Sequence, residues 1–225
     1  MGLSFKPIPH ILVTTYLDIY DFPWLKYRLS QPSMGSDFYI QCQYSGNNKY
    51  ELTLRYQKEW GMQDIAMDSA GIPSSGNKIR EKFRLNLSVS PVSRFTFSIR
   101  MELLKLKQAG LPNESGYLLF QDLSIKLQKI PLKLVGRFSL FETDSYNSRI
   151  YGYESDMLHV YSVPAFYGNG LRYSLLVQYK LSRKLDLWIK LGRTLFPAQT
   201  NIGSEASQIN SNHKTDIGIE FRLKF

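Results

Sequence analysis

The sequence alternates apolar and polar residues with a period of two over most of its length, which restricts the folds open to it. The clearest stretch runs from Asp216 to Phe225, where every odd position is apolar and every even position is polar or glycine. Successive side chains of a β-strand point to opposite faces, so this pattern predicts strands with one apolar and one polar face. The longest hydrophobic run, Tyr117–Phe120, has four residues, whereas a membrane-spanning helix needs about 20. The sequence therefore predicts an all-β fold and excludes a transmembrane helix.

The sequence contains ten predicted strands. Each shows this alternation or leads into a tight turn. The predicted strands are residues 10–20, 36–45, 49–60, 78–89, 94–107, 116–128, 131–143, 170–181, 184–195 and 213–225. All ten span 10 to 14 residues, longer than the five or six typical of globular strands and long enough for the roughly 9 to 11 residues of a tilted membrane strand. Strand length therefore favours a membrane location.

The links between the predicted strands alternate between tight turns and loops rich in Gly, Ser, Asn and Pro. The predicted loops are residues 21–35, 61–77, 108–115, 144–169 and 196–212. Short periplasmic turns opposite long extracellular loops are typical of transmembrane barrels, whereas a soluble barrel has no reason to sort its links by length. We therefore expect one domain over residues 1–225, an antiparallel up-and-down transmembrane β-barrel of about ten strands.

Aromatic residues recur near both ends of the predicted strands, as expected for side chains that lie at a membrane interface. At the loop ends these are Phe38, Trp60, Tyr117, Phe141, Tyr173 and Phe196, and at the turn ends Tyr44, Tyr50, Phe95, Tyr179 and Phe225. The alternative is that the rings pack a soluble core. The loop pattern favours two interfacial belts.

The last predicted strand ends in alternating apolar residues and a terminal phenylalanine. These residues are Ile217, Ile219, Phe221, Leu223 and Phe225. They resemble the C-terminal signal of Gram-negative outer-membrane proteins that the barrel-assembly machinery reads. The resemblance implies an outer-membrane location, with contacts to outer-membrane lipid and lipopolysaccharide.

Two further stretches, Asp21–Arg28 and Glu142–Tyr151, resemble large outer-membrane barrels that carry helix-hairpin-helix repeats upstream. The resemblance spans most of residues 16–195 and implies no settled activity. The N-terminus has no apolar core of a secretory signal, so the protein is either cytosolic or begins after its signal. Residues 1–9 look like the end of a preceding strand and its turn. A self-contained ten-stranded barrel and the C-terminal part of a larger barrel are both compatible with these features.

The chain has 28 Lys and Arg against 19 Asp and Glu, a net charge of +9. These charges alternate with apolar residues along the strands, which predicts a charged lumen and no nucleic-acid partner. The predicted lumen-lining residues are Arg55, Arg84, Arg100, Lys126, Arg137, Arg172, Lys190, Glu220 and Arg222. In a narrow barrel such charges would form ion pairs that fill the lumen, and in a wide barrel they would line a channel favouring anions.

The sequence gives little support for catalysis or for a metal. His159 and His213 fall in or beside predicted loops, near Ser155, Asp156 and Ser211, but proximity in sequence does not define a triad. The acidic positions Glu142, Asp144, Glu154 and Asp156 lack the spacing of a calcium loop, which favours a solvated loop. We expect no enzyme activity, no metal and no cofactor.

Two functions remain from the sequence. The first is an outer-membrane pore or transport barrel. The second is a closed structural or anchoring barrel that presents its loops to a partner, and a surface enzyme is a more distant third.

Overall fold

Every regular element of the computed structural model is a β-strand over the residues that it describes, 1–27, 29–47, 49–67, 73–203 and 208–224. The strands are β1 (Gly2–Ile8), β2 (Ile11–Phe22), β3 (Ser33–Gly46), β4 (Tyr50–Met67), β5 (Pro73–Val92), β6 (Phe95–Gln108), β7 (Glu114–Lys126), β8 (Leu132–Thr143), β9 (Ile150–Tyr151), β10 (Ala165–Phe166), β11 (Asn169–Lys180), β12 (Leu185–Leu195) and β13 (His213–Leu223). Within those residues, no helix has the length and apolar character needed to cross a membrane.

Eleven of these strands form one sheet in which each strand pairs with the next along the chain. Its order is β1-β2-β3-β4-β5-β6-β7-β8-β11-β12-β13, and β9 and β10 form a separate two-stranded sheet. The pairings are antiparallel throughout. The structure therefore confirms the all-β, antiparallel, up-and-down class predicted from the alternation.

The sheet has eleven strands rather than ten, because residues near the N-terminus form a strand of their own. Gly2–Ile8 pairs along β2, with Ser4 opposite Thr14 and Ile8 opposite Ile11. The turn between β1 and β2 places His10 in the left-handed region at φ 74. The predicted remnant of a strand and turn is thus β1 followed by this turn.

The predicted loop 61–77 is largely a hairpin, which corrects the sequence interpretation. β4 continues to Met67 and β5 starts at Pro73, with Gly61 opposite Lys78 and Gln63 opposite Gly76. The backbone ladder needs no apolar side chains, so a strand can continue where the sequence becomes polar and glycine-rich. Residues 68–72, at the tip of this predicted loop, lie outside the described part of the chain.

The sheet is open, with β1 and β13 at its two edges. No backbone ladder joins these two strands within the described residues. Since neighbours alternate in direction over eleven strands, β1 and β13 run the same way. A direct closure would therefore be a parallel pair.

The two faces of the sheet differ sharply in polarity. One face, which we call the apolar face, exposes large hydrophobic side chains on all eleven strands, among them Leu3, Leu17, Ile40, Leu54, Leu87, Leu103, Leu123, Leu140, Leu175, Ile189 and Ile219. The opposite face, the polar face, carries most of the charged strand residues. Its largest buried apolar cluster includes Leu104, Leu118, Phe120, Phe141 and Phe196.

Two of the predicted interfacial aromatics belong to that buried cluster, which corrects the prediction. Phe141 and Phe196 are 3% and 7% exposed, and their rings lie 5.9 Å apart. Both side chains point to the polar face, where a long connection covers them. Both residues lie near strand ends, as predicted, but on the polar face, because the alternation of apolar and polar residues breaks at both positions.

Candidate functional site

The connection between β8 and β11 folds back over the polar face instead of extending away from the sheet. We call residues 144–168 the docked segment. Within it, β9 and β10 pair with Tyr151 opposite Ala165, and an isolated bridge joins Glu154 to Ser162. The segment is therefore a narrow irregular hairpin that lies across the polar face of the sheet.

Hydrogen bonds fix the two ends of the docked segment to the sheet. The backbone N–H of Asp144 donates to the carbonyl of Ser115 at 3.0 Å, and the N–H of Ser115 donates to Asp144 Oδ2 at 2.6 Å. At the other end, the N–H of Gly168 donates to Thr143 Oγ1 at 2.9 Å. These contacts turn the chain inward directly after β8.

An apolar contact holds the base of the docked segment. Ile150 and Phe166 are buried among Leu118, Phe120 and Phe141. The rings of Phe141 and Phe166 meet edge to face, with centroids 5.2 Å apart. Each buried aromatic or aliphatic side chain stabilises such a contact by roughly 1.5 to 3 kcal/mol.

A buried ion cluster holds the tip of the docked segment, and it is the centre of the candidate site. Arg172 on β11 binds Glu154 through two parallel hydrogen bonds, Nε to Oε2 at 2.8 Å and Nη2 to Oε1 at 2.9 Å. Lys190 on β12 lies 2.9 Å from the same carboxylate and 2.5 Å from Asp156. Glu154 is 1% exposed. Two cations of the sheet are thus neutralised by two carboxylates of the segment.

Two glycines of the sheet make room for this docking. A Cβ at Gly192 would lie 2.6 Å from Arg172 Nη2, and a Cβ at Gly218 would lie 2.5 Å from Met157 Cε. Met157 packs against the buried cluster that contains Trp188 and Leu176. The bare positions let the arginine cross β12 and let the methionine reach the sheet.

Two further contacts tie the docked segment to the polar face. Arg137 forms a bidentate pair with Asp122, at 2.5 Å and 2.6 Å, and also donates to the carbonyl of Tyr153. His159 of the segment pairs through Nδ1 with Glu220 on β13. The segment therefore contacts β8, β11, β12 and β13 through polar groups.

The ion cluster sets a testable pH dependence for docking. Burial raises the pKa of Glu154, but hydrogen bonds and charge attraction from Arg172 and then Lys190 outweigh it and lower the pKa from 4.5 to about 2. A carboxylate with a lowered pKa stabilises the docked state fully above its unfolded pKa. That stabilisation is lost as the pH falls from 4.5 towards about 2.

We expect the fluorescence of Trp188, which is buried near Met157, to stay constant from neutral pH to about 4.5 and to change below it. The measurement uses a chain with Trp24→Phe and Trp60→Phe. Glu154→Gln in the same chain should remove the acid transition. An acid transition below pH 4.5 that survives this substitution would contradict the assignment to Glu154.

All nine predicted lumen-lining residues project from the polar face. The register alternation places Arg55, Arg84, Arg100, Lys126, Arg137, Arg172, Lys190, Glu220 and Arg222 on that side. The structure brings Arg172 and Lys190 together at the ion cluster, and Arg55 directly opposite Arg84. Arg222 instead pairs with the buried Asp186.

The acidic loop residues divide into two pairs, which corrects the prediction of a solvated loop. Glu154 and Asp156 are held against Arg172 and Lys190. Asp144 accepts a hydrogen bond from the backbone N–H of Ser115, and Glu142 accepts one from the hydroxyl of Tyr117. No group of three or more His, Cys, Asp or Glu suited to a metal ion occurs in the described parts of the chain. Sequence reasoning missed this role of Glu154 because nothing local distinguishes a loop that folds inward.

The histidines do not assemble a catalytic triad within the described residues. Ser211 Oγ lies 2.8 Å from His213 Nδ1, and Asn212 Oδ1 lies 3.3 Å from the same nitrogen. His159 binds Glu220, and His10 lies in the β1–β2 turn. The absence of enzyme activity stays a prediction.

The predicted assembly signal lies on the apolar face of the edge strand β13. Its side chains Ile217, Ile219, Phe221 and Leu223 are exposed. Phe225 lies outside the described residues. The reading of these residues by assembly machinery stays a prediction.

Fold and site together define a class: an up-and-down antiparallel β-sheet with an apolar outer face and a charged face covered by a docked segment. Comparison with protein families and with curated proteins finds no match. Among solved structures, the chain is similar to the crystal structure of a Pseudomonas aeruginosa FadL homologue, with 10% sequence identity and a TM-score of 0.41. The alignment covers 97% of this chain and 64% of that one. The resemblance to barrels with helix-hairpin-helix repeats stays a prediction.

Proposed function

We propose that the chain is an outer-membrane β-barrel protein that conducts small anionic solutes and that the docked segment narrows its lumen. The observation that carries this proposal is the row of exposed hydrophobic side chains along every strand of the sheet. Soluble monomers rarely expose apolar patches beyond a few hundred Å². A lipid environment is the one in which such a face is stable, with the polar face turned to water.

The charges of the polar face support anions as the solute class. The chain carries a net charge of +9, and many of its cations lie on this face. A lumen lined by Arg and Lys attracts anions and repels cations at close range. The docked segment neutralises part of this charge through Glu154 and Asp156, so the segment affects both the width and the selectivity of the lumen.

Closure is a further requirement of the proposal. Every backbone N–H and C=O must be paired within the hydrocarbon region, so the edges β1 and β13 cannot stay open there. Bacterial single-chain barrels use an even number of strands, which keeps all neighbours antiparallel. We propose that at least one further strand joins the two edges of the eleven-stranded sheet.

A closed structural barrel that presents loops to a partner is the second candidate. The burial of Arg137, Arg172 and Lys190 beneath the docked segment favours it. In this reading the ion pairs fill the lumen and no solute passes. Outer-membrane lipid, lipopolysaccharide and the barrel-assembly machinery are proposed partners under both candidates, and we propose no nucleic-acid partner and no enzyme activity.

The experiment is electrophoresis of the purified protein, followed by planar-bilayer recording. We expect unboiled protein to migrate differently from boiled protein, because a barrel with a fully paired backbone resists detergent until it is heated. In a chloride gradient across the bilayer, we expect resolved single channels. The sign of their reversal potential should show that anions are more permeant than cations. Folded protein that gives a silent bilayer would support the closed barrel and contradict the transport function.

Two substitutions on β11 provide a matched test of the membrane orientation. Leu175→Arg places a charge on the apolar face, where it costs roughly 2 to 4 kcal/mol at the bilayer midplane. Gln178→Arg adds the same charge to the polar face of the same strand. We expect only Leu175→Arg to reduce insertion into liposomes, and an equal loss in both variants would contradict the proposed orientation.

A further inference from the structure

A cavity of about 210 Å³ lies between strands β4–β6 and the base of the docked segment. Its lining is dominated by basic side chains. They are Arg55, Arg80, Lys82, Arg84 and Arg149. Glu102 is the only acidic residue among the described residues that line it. The cavity is therefore a local excess of positive charge that is separate from the ion cluster at the tip of the segment.

Most of this positive charge has no carboxylate partner. Lys82 pairs with Glu59 at 2.6 Å, and Arg84 pairs with Glu102. Arg55, Arg80 and Arg149 make no ion pair within the described residues. Arg55 also stands directly opposite Arg84 in the ladder, an arrangement in which like charges destabilise a sheet. A bound anion would relieve this repulsion.

Contacts within the docked segment hold the guanidinium group of Arg149 in position. Arg149 donates from Nε to the hydroxyl of Tyr151 at 2.7 Å and from Nη1 to the carbonyl of Tyr146 at 2.8 Å. Its guanidinium lies 4.2 Å from the centroid of the Tyr146 ring. Side chains held in this way lose less conformational entropy when a ligand binds.

Two buried donors remain unused beside the cavity. Nε of Arg80 and Nε of Arg84 are buried and have no hydrogen-bond partner within the described residues. Nη2 of Arg80 donates to the carbonyl of Asn147 at 3.2 Å, which links β5 to the docked segment. A buried N–H without a partner costs about 1 to 3 kcal/mol, and more when the group is charged. The guanidinium groups of Arg80 and Arg84 thus keep donor capacity that the described residues do not use.

We propose that this cavity binds a small water-soluble solute that bears a phosphate group. Planar guanidinium groups match the oxygens of phosphate and bind them through paired hydrogen bonds. Leu104 and Ile150 also line the cavity, which leaves an apolar wall beside the phosphate for a short carbon skeleton. The site lies on the polar face, away from the face proposed to meet lipid. A solute with a phosphate group would be the solute class of the proposed transport function. The binding site itself is argued from the cavity, and only its role in transport rests on that proposed function.

The test is isothermal titration calorimetry of the whole chain, folded in detergent micelles, with inorganic phosphate and with glycerol 3-phosphate. We expect both probes to bind in about 0.15 M salt, where distant charges are screened, and glycerol 3-phosphate to bind more tightly because of the apolar wall. Arg149→Gln should weaken binding by roughly tenfold or more, the value expected for the loss of a hydrogen bond from a charged group.

Lys133→Gln is the matched control, because it removes the same charge from the polar face at a position that does not line the cavity. In about 0.15 M salt, where the Debye length is about 8 Å, Lys133→Gln should leave phosphate affinity within about twofold of the parent, because this half-buried side chain does not line the cavity. Equal weakening by both substitutions would overturn the proposal in favour of diffuse attraction by the whole face.

Two controls separate this proposal from misfolding and from failure of the transport function. Arg149→Lys keeps the positive charge but removes the planar guanidinium group and its paired hydrogen bonds. It should therefore also weaken phosphate binding, while the heat-dependent migration of the protein stays unchanged. A chain that conducts chloride but binds neither probe overturns the phosphate site and leaves the transport function standing. A chain that binds phosphate but forms no channel supports the site and contradicts the transport function.

Discussion

Replacing Arg172 with methionine is expected to destabilise the docked state by about 3 to 5 kcal/mol, the typical cost of breaking one side of a buried ion pair. The substitution removes both hydrogen bonds to Glu154. It leaves that carboxylate, 1% exposed, with Lys190 as its remaining cation. The segment should then leave the polar face at a lower urea concentration, which the fluorescence of Trp188 would report in the chain without Trp24 and Trp60.

A double-mutant cycle with Glu154→Gln identifies the pair itself as the cause. The double variant should be more stable than the sum of the single losses predicts, because neither charge is then buried without its partner. Arg183→Met, in the exposed turn after β11, is the control for the loss of a positive charge. If Arg172→Met lowers the stability of the docked state by less than 1 kcal/mol, the ion cluster contributes as little as an exposed ion pair, which contradicts the prediction.

Removing the tip of the docked segment is expected to give the largest increase in single-channel conductance of any change to this chain. The variant replaces residues 152–164 with Asn-Gly. Tyr151 and Ala165 face each other across the β9–β10 pair, and a two-residue Asn-Gly turn closes such a hairpin. The deletion removes Glu154 and Asp156 while the cations of β11 and β12 remain, so selectivity should also shift further towards anions.

The double substitution Glu154→Gln and Asp156→Asn removes the same two charges but keeps the chain length. Because it also weakens docking through the loss of both ion pairs, its conductance should lie between that of the parent and that of the deletion. Conductance of the deletion variant equal to that of the parent would contradict the proposed position of the segment in the conducting path.

The alternation of apolar and polar residues predicted ten of the eleven long strands, whereas the lining of a lumen by the nine charged residues stays a prediction. This success has a simple physical reason: side chains of a strand alternate between two sides, so one residue fixes the side of all the others. The prediction failed where the pattern weakened. Residues 61–67 continue β4 through backbone pairing with β5, although apolar and polar residues no longer alternate there, and side-chain polarity does not encode backbone pairing.

The ion cluster and the cationic cavity could not be predicted in the same way. Glu154 lies in a stretch without periodicity, and its partner Arg172 is distant in the sequence. Arg149 lies in the same stretch and lines its cavity with Arg84, which is also distant in the sequence. The favourable sites for these residues exist only after β5, β8, β11 and β12 have come together. Glycines such as Gly218 are needed as well, because a Cβ there would clash with the docked segment. The sequence does not indicate which side chain will approach a glycine in a strand.

The sequence by itself determined that this protein is an up-and-down sheet with one face for an apolar surrounding and one for charge, because alternation is a local property of each strand. Tertiary structure alone decided that residues 144–168 fold inward, that Glu154 is buried against Arg172 and Lys190, and that Phe141 and Phe196 pack beneath the segment. The difference arises because burial of a loop depends on the space and charge that distant strands supply. Both candidate sites of the polar face, the ion cluster and the cationic cavity, therefore depend on a segment that the sequence predicts to be a solvated loop.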